Sequence, residues 1–212
     1  MKASYIFPSL YAISLCWQDK TLKKGKQQIK EYQNSEMKKI KGLVSKKGIT
    51  VSTSDNSENL ASRGYGKLEN KTLVLSFYEA LFLQSKGTLE VVKGKSRKAL
   101  DFQELLHQFE VVDENAWLKY LVYRDLRSRG YVVREGFGLG IDFRVYERGE
   151  YRKTTAAYLI LGIQEGKPIS VKELAHVLKH VQSLKKKLVL GVVNRRGEVV
   201  YYTLSKLTIK KM

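Results

Sequence analysis

The sequence predicts an α/β protein in two parts, an N-terminal α+β domain followed by a C-terminal α/β domain. Three observations carry this. Three helix starts share a capping signature, a Ser or Asp followed three residues later by Glu. Five short runs rich in β-branched and aromatic residues fill the second half, separated by glycine-containing turns. One of the three capped helices falls between the third and fourth of those runs, so it crosses from one strand to the next. A chain of 212 residues, 43% hydrophobic and 28% charged, can bury a core of this kind.

Residues 2–17 hold one Lys and then apolar residues, interrupted by Pro8, Ser9, Tyr11 and Ser14. No small-residue cleavage site follows, so they read as one or two core strands and not as a signal peptide. Residues 20–50 carry ten lysines against Glu31 and Glu36. That run is either a solvated helix face and loop or a phosphate-tracking surface, and charge alone leaves both open. The polar stretch 52–60 reads as a loop. Ser76-Phe-Tyr-Glu79 opens a helix that should end at Gly87, and Asp101-Phe-Gln-Glu104 opens a second.

Another helix starts near Asp113, with Leu118, Leu121, Val122 and Leu126 at helical spacing. It stops at Gly130, with Arg127 and Arg129 in its last turn complementing the helix dipole. Strands are expected at 131–134, 141–146, 158–163, 188–193 and 199–204. Ser170-Val-Lys-Glu173, just after Pro168, opens the crossing helix. The boundary is expected near 100–112, giving domains 1–108 and 109–212. No flexible linker separates them, so they should pack together.

Charge narrows the function. Lys plus Arg is 39 and Asp plus Glu is 21, a net +18 that favours a nucleic acid or an acidic membrane surface as partner. The single cysteine, Cys16, excludes an internal disulfide framework and a cysteine-only metal site, and it suits a reducing compartment such as the cytoplasm. Three histidines argue against a histidine-rich metal site. No apolar run reaches the roughly 18 residues of a membrane span.

Few residues carry chemistry by themselves. Gly136-Phe-Gly138-Leu-Gly140 lies between two strands, so it reads as a bend or a close backbone approach, not a dinucleotide loop. His176 and His180 share one helix face but lack a third strong ligand, and His107 reads as a partly buried helix residue. Asp142 followed by Glu165-Gly-Lys167 is compatible with a Mg²⁺-dependent nuclease, although Gly166 and Pro168 put Glu165 and Lys167 in a turn. Metal-free RNA cleavage makes another demand. The 2′-hydroxyl must lose a proton, the 5′ oxygen must gain one, and a cation must steady the phosphorane. Tyr146 at a strand end and Lys187 at a strand start are candidates for base and cation.

Longer stretches carry a family resemblance. Arg63-Gly-Tyr-Gly-Lys67, Leu75-Ser-Phe-Tyr-Glu-Ala-Leu-Phe-Leu83 and Gly87-Thr-Leu-Glu-Val91 are similar to the N-terminal domain of archaeal tRNA-splicing endonucleases. Tyr123-Arg-Asp-Leu-Arg-Ser-Arg-Gly-Tyr-Val-Val133, Gly140-Ile-Asp-Phe-Arg-Val-Tyr146 and Lys185-Lys-Lys-Leu-Val-Leu-Gly-Val-Val193 resemble that family's catalytic domain, in order and at fitting separations. The resemblance implies an α/β restriction-nuclease-like C-terminal domain. It implies excision of introns from precursor tRNA at bulge–helix–bulge sites, without metal or other cofactor, leaving a 2′,3′-cyclic phosphate and a 5′-hydroxyl. The family uses a Tyr base, a His acid and a stabilising Lys. Tyr146 and Lys187 match two of these, and the His position falls on Thr155 or Ala156, in a segment with no His.

That substitution makes the chain resemble the structural, non-catalytic subunit of the two-chain enzyme, which pairs two copies of each chain. Its expected partners are then a His-bearing catalytic subunit and precursor tRNA, with no membrane. Activity of this chain through another or a displaced acid, such as His176 or His180, is the alternative. RNA contact is expected from the 20–50 lysines and from Arg127, Arg129, Arg134 and Arg152. In the family the C-terminal strands pair between subunits, which assigns Val199, Tyr201 and Leu204 to an interface. The preceding loop is usually acidic there, whereas Arg195 and Arg196 make it basic here.

Overall fold

The computed structural model describes residues 39–206 except 46, 47, 53, 54, 71, 95–97 and 139. The expected strands in 2–17 and most of the 20–50 lysines lie outside the described residues.

A mixed six-stranded sheet forms first, from β1 (Ile40–Ser45), β2 (Gly48–Ser52), β3 (Lys67–Glu69), β4 (Thr72–Leu75), β5 (Leu89–Lys93) and β6 (Lys98–Ala99). Its order is β3-β4-β2-β1-β5-β6, and only the β1–β5 pair is parallel. Helix α1 (Asp55–Ser62) precedes β3, and α2 (Phe77–Ser85) links β4 to β5. Residues 52–60 therefore are not a loop throughout. Ser57, Leu60 and Ala61 recur at helical spacing and are buried, so packing overrides a polar composition that hides the period.

Helices α3 (Phe102–Glu110) and α4 (Ala116–Ser128) follow. The Asp101 carboxylate accepts from the Glu104 N–H at 2.7 Å while Glu104 returns the bond to the Asp101 N–H at 3.0 Å, a complete capping box. Leu105, Leu106 and Phe109 form the buried face of α3. His107 points the other way, its side chain 81% exposed and 3.9 Å from Glu110, so it is not the partly buried residue expected.

The second sheet has five strands in the order β11-β10-β9-β8-β7. They are β7 (Val132–Gly138), β8 (Ile141–Tyr146), β9 (Tyr158–Gln164), β10 (Lys187–Val193) and β11 (Val199–Leu204). All pairs are antiparallel except β9–β10, which α5 (Val171–Ser183) connects. Strand β7 runs past the expected residue 134 because its glycines accommodate a register shift between Glu135 and Gly138. A Cβ on Gly136 would collide with the Ile141 carbonyl.

One hydrophobic cluster runs from the first sheet through α2, α3 and α4 to the second. Its centre is aromatic: Phe77 stacks on Phe109 at 3.6 Å between centroids, and Tyr78 meets Tyr123 at 4.8 Å and Phe143 at 5.0 Å. Val177 and Val181 of α5 pack with Ile141, Leu159 and Leu188 in a smaller cluster. Among the described residues no helix is long and apolar enough to cross a membrane.

Candidate active site and nucleic-acid interface

Register brings the predicted chemistry to one end of the second sheet. Tyr158, the first residue of β9, pairs with Val145 on one side and with Lys187, the first residue of β10, on the other. Tyr146 is the next residue after Val145 and pairs with Val132 of β7. Tyr146 and Lys187 thus flank the start of β9. The Lys187 ammonium sits 5.9 Å from the Tyr158 ring centroid, and the Tyr146 ring meets Tyr151 edge-on at 5.3 Å. The Tyr158 hydroxyl donates to Glu147 Oε1 at 3.2 Å, and that carboxylate holds the phenol's pKa above its ordinary value.

The segment entering β9 separates the two candidates for the third position. Ala156 is buried, and the Ala157 N–H donates to the Val145 carbonyl at 2.9 Å, which fixes the backbone there. Thr155 is exposed, and its hydroxyl oxygen accepts a hydrogen bond from the Lys186 ammonium. Of the two, Thr155 is therefore the side chain exposed ahead of β9, in contact with Lys186 just before β10. A threonine hydroxyl is too weak an acid to serve as general acid to a leaving alkoxide at neutral pH.

Asp142 and Glu165 have other surroundings. Asp142 Oδ2 accepts the Gly162 N–H at 2.8 Å, and Oδ1 lies 3.6 Å from Lys119, which is itself 2.6 Å from Asp113. The carboxylate so fastens β8 to β9 and α4. Glu165 is exposed in the turn after β9. Of the helix pair, His176 is exposed and His180 half-buried. Among the described residues no group of three His, Cys, Asp or Glu side chains converges.

Each of the four expected RNA-binding arginines has a hydrogen-bond or ion-pair partner within the fold. Arg134, 11% exposed, donates to the Gly64 carbonyl at 2.8 Å and pairs with buried Glu79 at 3.3 Å. Arg127 donates to the carbonyls of Tyr131 and Arg63 and lies 3.8 Å from the Tyr65 ring centroid. Arg152 donates to the Ala61 carbonyl at 3.2 Å. Three guanidiniums thus converge on the C-terminal carbonyls of α1 and its following turn, where the helix dipole favours cations. Arg129 pairs with Asp125 at 2.7 Å and lies over the Tyr201 ring at 5.5 Å.

Glu79 is the electrostatic centre of this clamp. Its two oxygens accept from the Ser76 N–H at 2.9 Å and the Gly66 N–H at 3.1 Å. Burial raises its pKa, opposed by Arg134 and these N–H groups.

At the sheet edge, Arg195 and Arg196 are exposed at the tip of the β10–β11 hairpin. Asn194 Oδ1 accepts both the Arg196 and Glu198 N–H groups, so the tip is held in one shape. Val199 and Tyr201 pack against the protein's own core, Leu204 packs on the smaller cluster, and Tyr201 donates to Asp125 at 2.9 Å. The apolar residues that β11 leaves open are Val200, 47% exposed, and Tyr202, 56% exposed. Successive side chains of a strand point to opposite faces, which separates these two sets although the residue types do not alternate.

Residues 40–106 match the tRNA intron endonuclease N-terminal domain and residues 116–201 match the tRNA intron endonuclease catalytic C-terminal domain. A tRNA-splicing endonuclease of Methanococcus vannielii is 36% identical over 172 residues, covering 81% of this chain and 97% of that protein. The chain belongs to the tRNA intron endonuclease family. Its similarity extends to a tRNA-splicing endonuclease of Methanothermobacter thermautotrophicus, 31% identical over 167 residues, 77% of this chain and 95% of that protein. A third relative, the tRNA-splicing endonuclease of Pyrococcus furiosus, is 36% identical over 141 residues, 66% of this chain and 80% of that protein.

Proposed function

We propose that this chain is the non-catalytic subunit of a cytoplasmic tRNA-splicing endonuclease, joined with a His-bearing chain as two copies of each. Family membership supports action on precursor tRNA. The single observation that carries the subunit assignment is Thr155, the exposed one of the two residues at which the family resemblance places the acid, bonded to Lys186. Cleavage at a bulge–helix–bulge requires that the departing 5′ oxygen gain a proton. Losing the general acid costs about 10²–10⁴ in rate. Tyr146 and Lys187 then remain as the base and cation positions of a site lacking its third member.

The chain's contribution is structural. β11 is the terminal strand of its sheet, and its open edge with Val200 and Tyr202 offers a surface for a partner's strand. The Arg195–Arg196 tip extends that interface toward an acidic counterpart, and Val199, Tyr201 and Leu204 hold β11 in place from behind. The test is cleavage of a bulge–helix–bulge precursor tRNA in EDTA, by this chain alone and mixed with a His-bearing relative from the same organism. Activity only in the mixture is expected. Cleavage by this chain alone overturns the subunit assignment, and loss of mixed activity in EDTA overturns metal independence.

A further inference from the structure

Positive charge free to meet a polyanion is unevenly distributed. Residues 40–151 carry eighteen Lys and Arg against fifteen acids, whereas residues 152–206 carry eleven against three, Glu165, Glu173 and Glu198. The arginines of the first stretch that were expected to meet RNA hold carbonyls or carboxylates of the fold. Much of the second stretch's charge sits on α5 and the start of β10.

Helix α5 turns Val177 and Val181 toward the sheet. Lys172, His176 and Lys179 follow at i, i+4 and i+7 on the opposite side, all exposed, in a line about 10 Å long. Among the described residues none of the three has a hydrogen bond or ion pair. The helix's one acid, Glu173, lies about a quarter turn away from that line. The helix ends at the start of β10, so the line continues into Lys185, Lys186 and Lys187, at the sheet end that holds Tyr146 and Thr155.

We infer that the outward face of α5, through Lys172, His176 and Lys179, contacts the phosphate backbone of the RNA and leads it to the Tyr146–Thr155–Lys187 end of the sheet. This rests on the reading of the chain as part of an enzyme acting on precursor tRNA. Phosphates are the chemistry that fits, because two lysine ammoniums with an imidazole between them, none with a side-chain partner among the described residues, offer hydrogen-bond donors and positive charge along a backbone.

The test is binding of a bulge–helix–bulge precursor tRNA in EDTA by the assembled enzyme, titrated from 50 to 200 mM salt. The variant is Lys172→Gln with Lys179→Gln. Neutralising two fewer phosphates lowers the slope of log K against log salt by about 1.4–1.8, which is about 15- to 30-fold weaker binding at 0.15 M salt. The control is Lys86→Gln with Lys98→Gln, at the end of α2 and on β6, which should leave the slope unchanged. Unchanged binding by the α5 variant, or an equal loss in the control, overturns the assignment. Failure of the α5 variant to assemble, while the chain alone binds RNA as before, also overturns it and gives the face to the partner subunit. Absence of tRNA binding by the wild-type assembly would instead overturn the functional reading itself, so the two failures are distinguishable.

Discussion

Thr155→His should restore a missing function. Thr155 is exposed, its backbone is fixed by the Ala157–Val145 hydrogen bond, and its neighbours Tyr146 and Lys187 occupy the flanking strands. An imidazole there supplies a group able to protonate the leaving oxygen. The expected gain for the chain alone is about 10²–10⁴ in cleavage rate, or about 3–5 kcal/mol of barrier. The Lys186 ammonium, now bonded to Thr155, shifts the new residue's pH response. A unit charge about 4 Å away in water-like surroundings is worth about 1 kcal/mol. That lowers the imidazolium pKa by about 0.7 from its usual value near 6.5. The assay is single-turnover cleavage of bulge–helix–bulge RNA in EDTA from pH 5 to 8, with Lys186→Met added in a second variant. The rate should fall above about pH 6 in Thr155→His, and the limb should move up by about 0.7 in the double variant. A folded, RNA-binding Thr155→His chain no faster than wild type would refute the inference that this sheet end is a triad lacking one member.

Three further outcomes follow from the same geometry. In the assembled enzyme, Tyr146→Phe and Lys187→Ala of this chain should change the turnover rate by less than about threefold, because their site lacks an acid. Rapid-quench cleavage measures this, and a loss of about 10²-fold or more would show that this chain supplies chemistry. Val200→Lys with Tyr202→Lys should leave unfolding free energy within about 0.5 kcal/mol, since both side chains are exposed. Light scattering should nevertheless show less assembly with the partner chain, and intact assembly would remove β11 from the interface. Arg134→Met should destabilise the fold by about 3–5 kcal/mol near neutral pH, by stranding the Glu79 charge. Glu79 has its folded pKa raised, so its favourable contribution is complete below the unfolded Glu value and is lost as pH rises through the folded value. Removing Arg134 raises that pKa further. The variant's deficit in urea unfolding should therefore shrink as pH falls toward about 4, and a deficit that grows in acid would refute the clamp.

The parts of the fold that are legible in the sequence are those whose signal is local. Asp101 and Glu104 satisfy each other's backbone N–H groups within one turn, β8 alternates with period two, and β11 is a run of β-branched and aromatic residues, so local pattern locates them. Helix α1 escapes that reading because only Leu60 and Ala61 carry its apolar face and the rest of its buried side comes from Ser57. The site divides in the same way. Tyr146, Lys187 and the absence of a histidine are visible in the chain. Whether Thr155 or Ala156 stands at the open position depends on which of two adjacent residues the start of β9 turns inward, and that is decided by burial across the sheet. The arginines show the limit most clearly. Arg127 at a helix end, Arg134 on a strand and Arg152 in a turn look alike as surface cations. Only the tertiary fold brings the three together at the carbonyls after Leu60. Those carbonyls lie at and just after the end of α1, and guanidiniums from the second half of the chain donate to them. The same hydrogen bonds join the first sheet's helix to the second half of the chain. Lys172 and Lys179, each with a single compact ammonium and no planar fork to span two carbonyls, lie exposed on the outer face of α5.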